Sequence, residues 1–323
     1  MQVWGGQAPT EGSAGQSDCP ASDTNRPSLP APDVAESEFE FDQTLGTSQD
    51  IDPFGPTPHE VVAQMLKMAR VGKGDVVYDL GSGDGRIPIA AAQQAGAHGV
   101  GVELRPELVE QSRAAAEKAG VAERVQFLEA DMFKCDIRPA TVVMLYLYPR
   151  TALKLRPKLL RELRPGTRIV AYNYGIEGWP RDQEELVENT ESYLDGVLYL
   201  WIVPANLSGT WQSSLETPAG ESLSFTLQLD QTFQKVSGKV VHRGLELPLK
   251  DVRLSGRSLR FCLALPDGES LALAATVRGH RLQGHAERVT TETGSEPPPT
   301  RMAWQARRDP ATRTPIDPGR RRR

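Results

Sequence analysis

Val76-Val77-Tyr78-Asp79-Leu80 runs directly into Gly81-Ser82-Gly83-Asp84-Gly85, and Arg86-Ile87-Pro88-Ile89 follows without a spacer. A short apolar run bounded by glycines reads as a buried strand, and the residues after Gly85 read as the start of a helix. Few folds connect a strand to a helix through so short a glycine turn. Glycine lets the backbone turn tightly and approach a ligand closely, while the helix that follows leaves unpaired N–H groups at its first turn. The segment predicts an open α/β sheet with a ligand at the carboxyl end of this strand.

The surrounding chain repeats the alternation. Strands are expected at Val76–Leu80, His98–Leu104, Val125–Glu129, Thr141–Leu147 and Thr167–Asn173. Helices are expected at Arg86–Ala95, at Pro106–Ala119, and at Thr151–Leu163 with a kink at Pro157. An earlier helix is expected to start at a Thr57-x-x-Glu60 capping box with Pro58 in its first position. Strands that are apolar on both faces imply a parallel sheet covered by helices on both sides. Leu186–Tyr193 and Val197–Val203 flank Asp195-Gly196, a hairpin signal that brings the sheet to seven strands.

From Leu207 the helical period disappears. Short alternating runs follow at Ser222–Leu229, Phe233–Val240, Leu245–Leu254, Ser258–Leu265, Ser270–Val277, Arg281–Val289 and Arg301–Arg307. Ser237-Gly238, Ser255-Gly256 and Asp267-Gly268 read as turns between them. This is a small all-β unit, a barrel or a sandwich, joined to the first at Pro204–Asn206. Residues 1–50 are rich in Pro, Gly and Ser and read as a disordered tail, as do residues 309–323, which finish in Arg320–Arg323. The expected domains are therefore 51–204 and 207–308, between two tails.

A chain of 323 residues has room for both. The net charge of -5, without a basic stripe, makes nucleic acid an unexpected partner. Cys19, Cys135 and Cys262 lie far apart and suggest isolated thiols rather than a disulfide framework or a zinc site. His59, His98, His242, His280 and His285 show no metal spacing, so no metal is expected. No apolar run is long enough to span a bilayer, and Met1–Gln16 lacks the pattern of a secretory leader, which points to the cytoplasm. The oligomeric state is left open.

Three acids fall at the ends of successive strands. Asp79 ends the first and suits a ligand carrying an ammonium or sulfonium better than a pyrophosphate. Glu103 ends the second, about 20 residues after the glycine turn, where doubly wound folds bond a ribose diol. Asp131, in Glu129-Ala130-Asp131-Met132, follows the third and is placed to accept from an adenine amino group. A nicotinamide-dependent oxidoreductase is the rival use of such a sheet. Asp79 weighs against it, as does a Gly-x-Gly-x-Gly spacing that lacks the third glycine one position later.

Residues 53–203 resemble a class I, seven-strand methyltransferase. Tyr78-Asp79-Leu80-Gly81-Ser82-Gly83-Asp84-Gly85-Arg86-Ile87 and Pro53-Phe54-Gly55-Pro56-Thr57-Pro58 are similar to a bacterial branch of that class. This branch is related to the mitochondrial lysine methyltransferases of the ATP synthase c-subunit and the adenine nucleotide translocase. Leu145-Tyr146-Leu147-Tyr148-Pro149 and Leu163-Arg164-Pro165-Gly166-Thr167-Arg168 fit the same branch. The resemblance implies S-adenosylmethionine as cofactor, held by Asp79, Gly81, Ser82, Gly83, Gly85, Glu103, Asp131 and Met132, with Thr57 and Pro58 closing over its methionine end. It implies that Tyr146 and Tyr148 face the transferred methyl and that Asn173 and Tyr174 contact the acceptor.

Such an enzyme aligns donor and acceptor in line, and the cofactor carries the activation. The expected reaction is N-methylation of a protein lysine. A small-molecule acceptor is the alternative, as is a cofactor-binding scaffold whose β unit binds a ligand or partner. No Asn-Pro-Pro-Tyr or Asp-Pro-Pro-Tyr follows the fourth strand, and Cys135 is preceded by Lys134 rather than proline, so the patterns of DNA-base methylation are missing. Gly209-Thr210-Trp211 at the start of the β unit resembles the first strand of lipocalin-like barrels.

Overall fold

The computed structural model describes residues 55–187, 196–216, 220, 222–266, 268–289 and 301–317. The expected tail over 1–50 and the segment 51–54 lie outside the described residues. Five strands and four helices alternate first: α1 (His59–Met68), β1 (Val76–Leu80), α2 (Arg86–Ala95), β2 (His98–Glu103), α3 (Pro106–Lys118), β3 (Val125–Glu129), β4 (Val142–Leu145), α4 (Pro149–Glu162) and β5 (Arg168–Tyr172). Then β6 (Gln183–Val187) and β7 (Gly196–Ile202) complete a seven-stranded sheet of order β3-β2-β1-β4-β5-β7-β6. β1 to β5 pair in parallel, whereas β7 runs antiparallel to both β5 and β6.

Alternate residues of the central strands enter two different cores, which is why these strands are apolar throughout. Val77, Val142, Met144 and Val170 pack with Val61, Met65 and Ile87 of α1 and α2. Leu80, Val143, Leu145 and Ile169 pack on the other face with Ala152, Leu155 and Leu159 of α4. Gly99 and Gly101 mark where β2 meets its helices and neighbours: a Cβ on Gly99 would stand 2.7 Å from the Pro88 carbonyl oxygen.

The second unit is one nine-stranded antiparallel sheet. Its strands are β8 (Gly209–Glu216), β9 (Ser222–Thr232), β10 (Lys235–His242), β11 (Leu245–Pro248), β12 (Lys250–Ser255), β13 (Ser258–Ala264), β14 (Ser270–Arg278), β15 (Arg281–Val289) and β16 (Met302–Arg308). The order β11-β10-β9-β8-β16-β15-β14-β13-β12 puts two strands that are consecutive in sequence at the two ends, so the sheet is a nearly closed barrel and not a sandwich. Inward residues such as Trp211, Leu227, Phe261, Leu282 and Trp304 fill it. β16 alternates buried and exposed along its whole length, as a strand with one wet face must.

Several local expectations are corrected. Pro58, not Thr57, is the residue before α1, and it makes no side-chain capping bond. Thr57 is buried, and its carbonyl accepts from Arg86 Nη1 at 2.8 Å. Gly196 pairs with Val187 inside the β6–β7 ladder, whereas Asp195 of the expected Asp195-Gly196 turn lies outside the described residues. Glycine is needed at position 196 because a Cβ would stand 2.3 Å from Tyr172 Cε2. Ser237 and Gly238 are likewise ladder residues, paired with Asp230 and Leu229, and the chain reverses earlier, at Phe233. The single run Leu245–Leu254 divides at Leu249 into β11 and β12. Residues 309–317 are not free tail: Pro310–Thr312 form a 3-10 turn, and Asp317 pairs with Arg156. Cys135 is a free thiol, and Cys19 lies outside the described residues.

Candidate functional site

β1 delivers Asp79 to the carboxyl edge of the sheet, and the glycine turn is then pinned to β2. Gly81 and Ser82 N–H groups donate to the Val102 carbonyl at 2.8 and 3.0 Å, and Gly83 N–H donates to Glu103 Oε2 at 2.9 Å. Gly81, Gly83 and Gly85 all adopt positive φ, at 89°, 52° and 78°, a region other L-residues avoid. Their reasons differ beyond that. A Cβ on Gly81 would stand 3.2 Å from Leu147 Cδ2 and 3.5 Å from Met132 Cε, at the open edge of the sheet. A Cβ on Gly85 would strike Phe127 at 2.6 Å, so Gly85 serves helix–sheet packing. The Ser82 hydroxyl also turns inward, over Gly101, and has no hydrogen-bond partner among the described residues.

The acids differ in their surroundings. Asp79 is 3% exposed. Burial pushes its carboxyl up to about 8, and the neighbouring Asp84 and Glu103 add to the shift. Glu103 is also buried, yet its Oε1 accepts from the N–H groups of Leu104 and Arg105 and from Arg105 Nε, each at 3.1 Å. Asp131 is half-buried beyond β3, where Oδ1 accepts from Phe133 N–H at 2.9 Å and Lys134 lies 3.3 Å from Oδ2. Because Glu103 pairs with Glu129, Asp131 stands just past the level of Glu103 on the same edge.

Across the edge, β4 and β5 end in tyrosines. Tyr146 and Tyr172 rings lie 4.9 Å apart, Tyr174 stacks on Tyr146 at 6.5 Å, and Tyr148 stacks on Tyr174 at 5.9 Å. Burial raises the Tyr146 hydroxyl above the ordinary tyrosine value, with Tyr172 and Tyr174 adding to the shift, while a hydrogen bond with Asn173 opposes it. Asn173 sits at φ 61°, and its N–H donates to the Val197 carbonyl at 2.8 Å. Gly55, at the start of the described chain, lies over Tyr146: a Cβ there would be 3.8 Å from Cε1.

Sequence alone assigns no role to Asp84 or Arg86. Burial works against the charged form of Asp84, but hydrogen bonds and charge from Arg86 overcome it and hold the carboxyl below its ordinary value. Arg86 Nη2 lies 2.6 Å from Asp84 Oδ2 while Nη1 binds the Thr57 carbonyl, so the pair ties the segment before α1 to the glycine turn. An acid and an arginine two residues apart at a helix start is the signal that could have found them. The structure thus gathers Thr57, Asp79, Gly81, Gly83, Glu103, Asp131, Met132, Tyr146, Tyr148, Asn173 and Tyr174 along one edge of the sheet. The Ser82 hydroxyl faces Gly101, and the Cβ position of Gly85 faces Phe127.

This donor set fits S-adenosylmethionine: a buried carboxyl whose charged neighbours are acids suits a cationic amino acid, and a glycine keeps the cradle beside Leu147 and Met132 open. The sheet order and this edge define a Rossmann-like, S-adenosylmethionine-dependent methyltransferase. The family model for the ANTKMT methyltransferase domain matches residues 79–183. A protein-lysine N-methyltransferase of Saccharolobus islandicus is 40% identical over 152 residues, 47% of this chain and 93% of that protein. The human lysine N-methyltransferase of the ATP synthase c-subunit is 38% identical over 130 residues, 40% of this chain and 55% of that protein, so the match spans about half of it. A solved structure described as an RNA methyltransferase from Salinibacter ruber with S-adenosyl-L-homocysteine is 47% identical, with a TM-score of 0.43, over 46% of this chain and 93% of that one. The chain belongs to the same methyltransferase family as the Saccharolobus islandicus protein. Among the described residues no helix is long and apolar enough to cross a membrane.

Proposed function

We propose that the protein transfers a methyl group from S-adenosylmethionine to the side-chain nitrogen of a protein lysine. The observation that carries the reading is 40% identity to a protein-lysine N-methyltransferase over nearly all of that relative's length, in a chain whose sheet edge carries Asp79, Glu103 and the tyrosines together. In this reading residues 51–204 perform the transfer and residues 207–308 are an accessory domain.

Asp79 would hold the ammonium of the cofactor's methionine end, Glu103 the ribose and Asp131 the adenine amino group. Glu103 Oε2 accepts only the Gly83 N–H bond, which leaves that oxygen an acceptor for a diol. Arg86, by holding the Thr57 carbonyl, would keep the segment before α1 closed over the methionine end. The bound cofactor supplies an already activated sulfonium, so the protein's task is alignment and exclusion of water. The acceptor amine must be neutral to react. The Tyr146 hydroxyl, shifted upward, stays protonated at neutral pH and is not the base. Its oxygen can accept a hydrogen bond from the incoming amine, and the proton leaves to water.

Transfer of labelled methyl groups from S-adenosylmethionine into a cell extract, followed by acid hydrolysis, tests the proposal. Methyl-lysine in protease-sensitive material is the expected result. Label found only in ribonuclease-sensitive or dialysable material would overturn it in favour of an RNA or a small-molecule acceptor.

A further inference from the structure

The connection between β5 and β6 forms one wall of a cleft of about 570 Å³ whose aromatic lining includes Tyr174, Trp179, Tyr199 and Trp201. Tyr174 and Asn173 belong both to this cleft and to the tyrosine cluster at the strand ends, so the cleft opens from the edge where transfer takes place. Its wall has no regular secondary structure between Tyr172 and Gln183 and depends on outside support.

That support comes from the barrel. The β9–β10 turn places Phe233 against Trp179, with rings 5.9 Å apart and nearly parallel at 12°. Gln234 Oε1 accepts from Trp179 Nε1 at 3.1 Å, and Gln234 Nε2 donates to the Pro180 carbonyl at 2.5 Å. The turn is itself braced. Phe233 N–H donates to the Ile316 carbonyl at 2.9 Å, and its backbone is held at φ 52°, a region costly for an aromatic residue. Arg156 of α4 closes the arrangement: Nη1 donates to the Glu177 carbonyl at 2.5 Å, the guanidinium lies 5.4 Å from the Phe233 ring centre, and Nε and Nη2 bind both oxygens of Asp317 at 3.0 and 2.9 Å. All of these barrel and C-terminal residues lie outside 79–183, the stretch matched by the family model.

We propose that the barrel is a positioning element of the acceptor site: Phe233 and Gln234 hold the wall of an aromatic cleft that receives the acceptor's lysine side chain. The inference rests on the lysine reading above. Aromatic walls suit the four-carbon stem of lysine and attract its ammonium before the proton is lost. One residue secures both the Trp179 indole and the Pro180 carbonyl, so its removal frees two neighbouring points of the wall.

The test uses the full chain with poly-L-lysine as methyl acceptor, comparing wild type, Gln234→Ala and the cleft variant Tyr174→Ala. Gln234→Ala should raise KM for poly-L-lysine at least fivefold, leave kcat and the Kd of S-adenosylhomocysteine within twofold, and speed amide hydrogen exchange over residues 175–181. A merely destabilised protein would not separate KM from kcat in this way. Tyr174→Ala should raise KM without changing exchange in the barrel. An unchanged KM in Gln234→Ala, or a change in KM without faster exchange at 175–181, overturns the positioning role. An unchanged KM in Tyr174→Ala overturns the cleft as acceptor site. If wild type transfers nothing to poly-L-lysine, the lysine reading has failed, and the exchange measurement alone then decides whether the barrel holds the wall.

Discussion

Arg308 in the barrel and Asp79 in the seven-stranded sheet are both buried ionisable groups, each 3% exposed, and their surroundings treat them in opposite ways. Arg308 donates to the carbonyls of Asn206 and Ser208 at 2.7 and 3.2 Å and lies 4.9 Å over the Trp211 ring. Burial, with Arg313 nearby, lowers it only to about 10, so it stays charged at neutral pH. Asp79 has acids for charged neighbours and is pushed up to about 8, so it is largely protonated in the free protein. A buried charge satisfied by its own chain is architecture. A buried acid whose charged neighbours are acids instead suits a cationic ligand, which is the role proposed for Asp79.

The largest effect that would break this comparison is at Asp79. Asp79→Ala should weaken S-adenosylmethionine binding by roughly tenfold to a hundredfold, the range for a lost hydrogen bond to a charged group, with circular dichroism unchanged. Equal affinity by calorimetry would mean that the buried acid is not a ligand site.

The second is a pH dependence with a definite sign. The folded pKa of about 8 lies above the ordinary 3.8, so the free folded state holds a proton that the unfolded chain has lost. Stability from this group is fully present below about pH 4 and is lost progressively as pH rises to about 8. Urea midpoints of the cofactor-free protein should fall across that window, and Asp79→Asn should flatten the fall. A cationic ligand favours the carboxylate, so cofactor binding at pH 7 should release a proton, detectable as a buffer-dependent heat.

The third effect belongs to the barrel. A Cβ on Gly284 would stand 1.8 Å from the Ala274 carbonyl oxygen, so Gly284→Ala should destabilise the protein by about 1–3 kcal/mol. Cofactor affinity should not change, and a loss of it would show that the two units are coupled at the cofactor edge as well as at the acceptor wall. The smallest effect is at the exposed pair Lys239–Glu246, 2.7 Å apart, where Lys239→Ala should shift stability by less than about 1 kcal/mol in a thermal melt.

Much of the catalytic sheet is legible in the sequence because its signals are local. Strand length, glycine at positive φ and an acid at a strand end are each set within a few residues, and together they place Asp79, Glu103 and Asp131 on one edge. The same signals mislead where a glycine or a pair of turn residues serves a distant contact. Gly196 accommodates the Tyr172 ring, and Gly238 lies so close to the Gln228 carbonyl that a Cβ would stand 2.1 Å from it, so Gly238 marks no turn.

By itself, then, the sequence determined the strand–helix alternation, the glycine turn and the acids at the strand ends, since backbone preference and apolar period act over one element at a time. Only the tertiary structure decided that the barrel's β9–β10 turn braces the β5–β6 connection through Phe233 and Gln234, and that Asp317 reaches Arg156 across 161 residues. Contacts between residues so far apart leave no periodic trace in the chain, because each depends on where two separately folded sheets come to rest against each other.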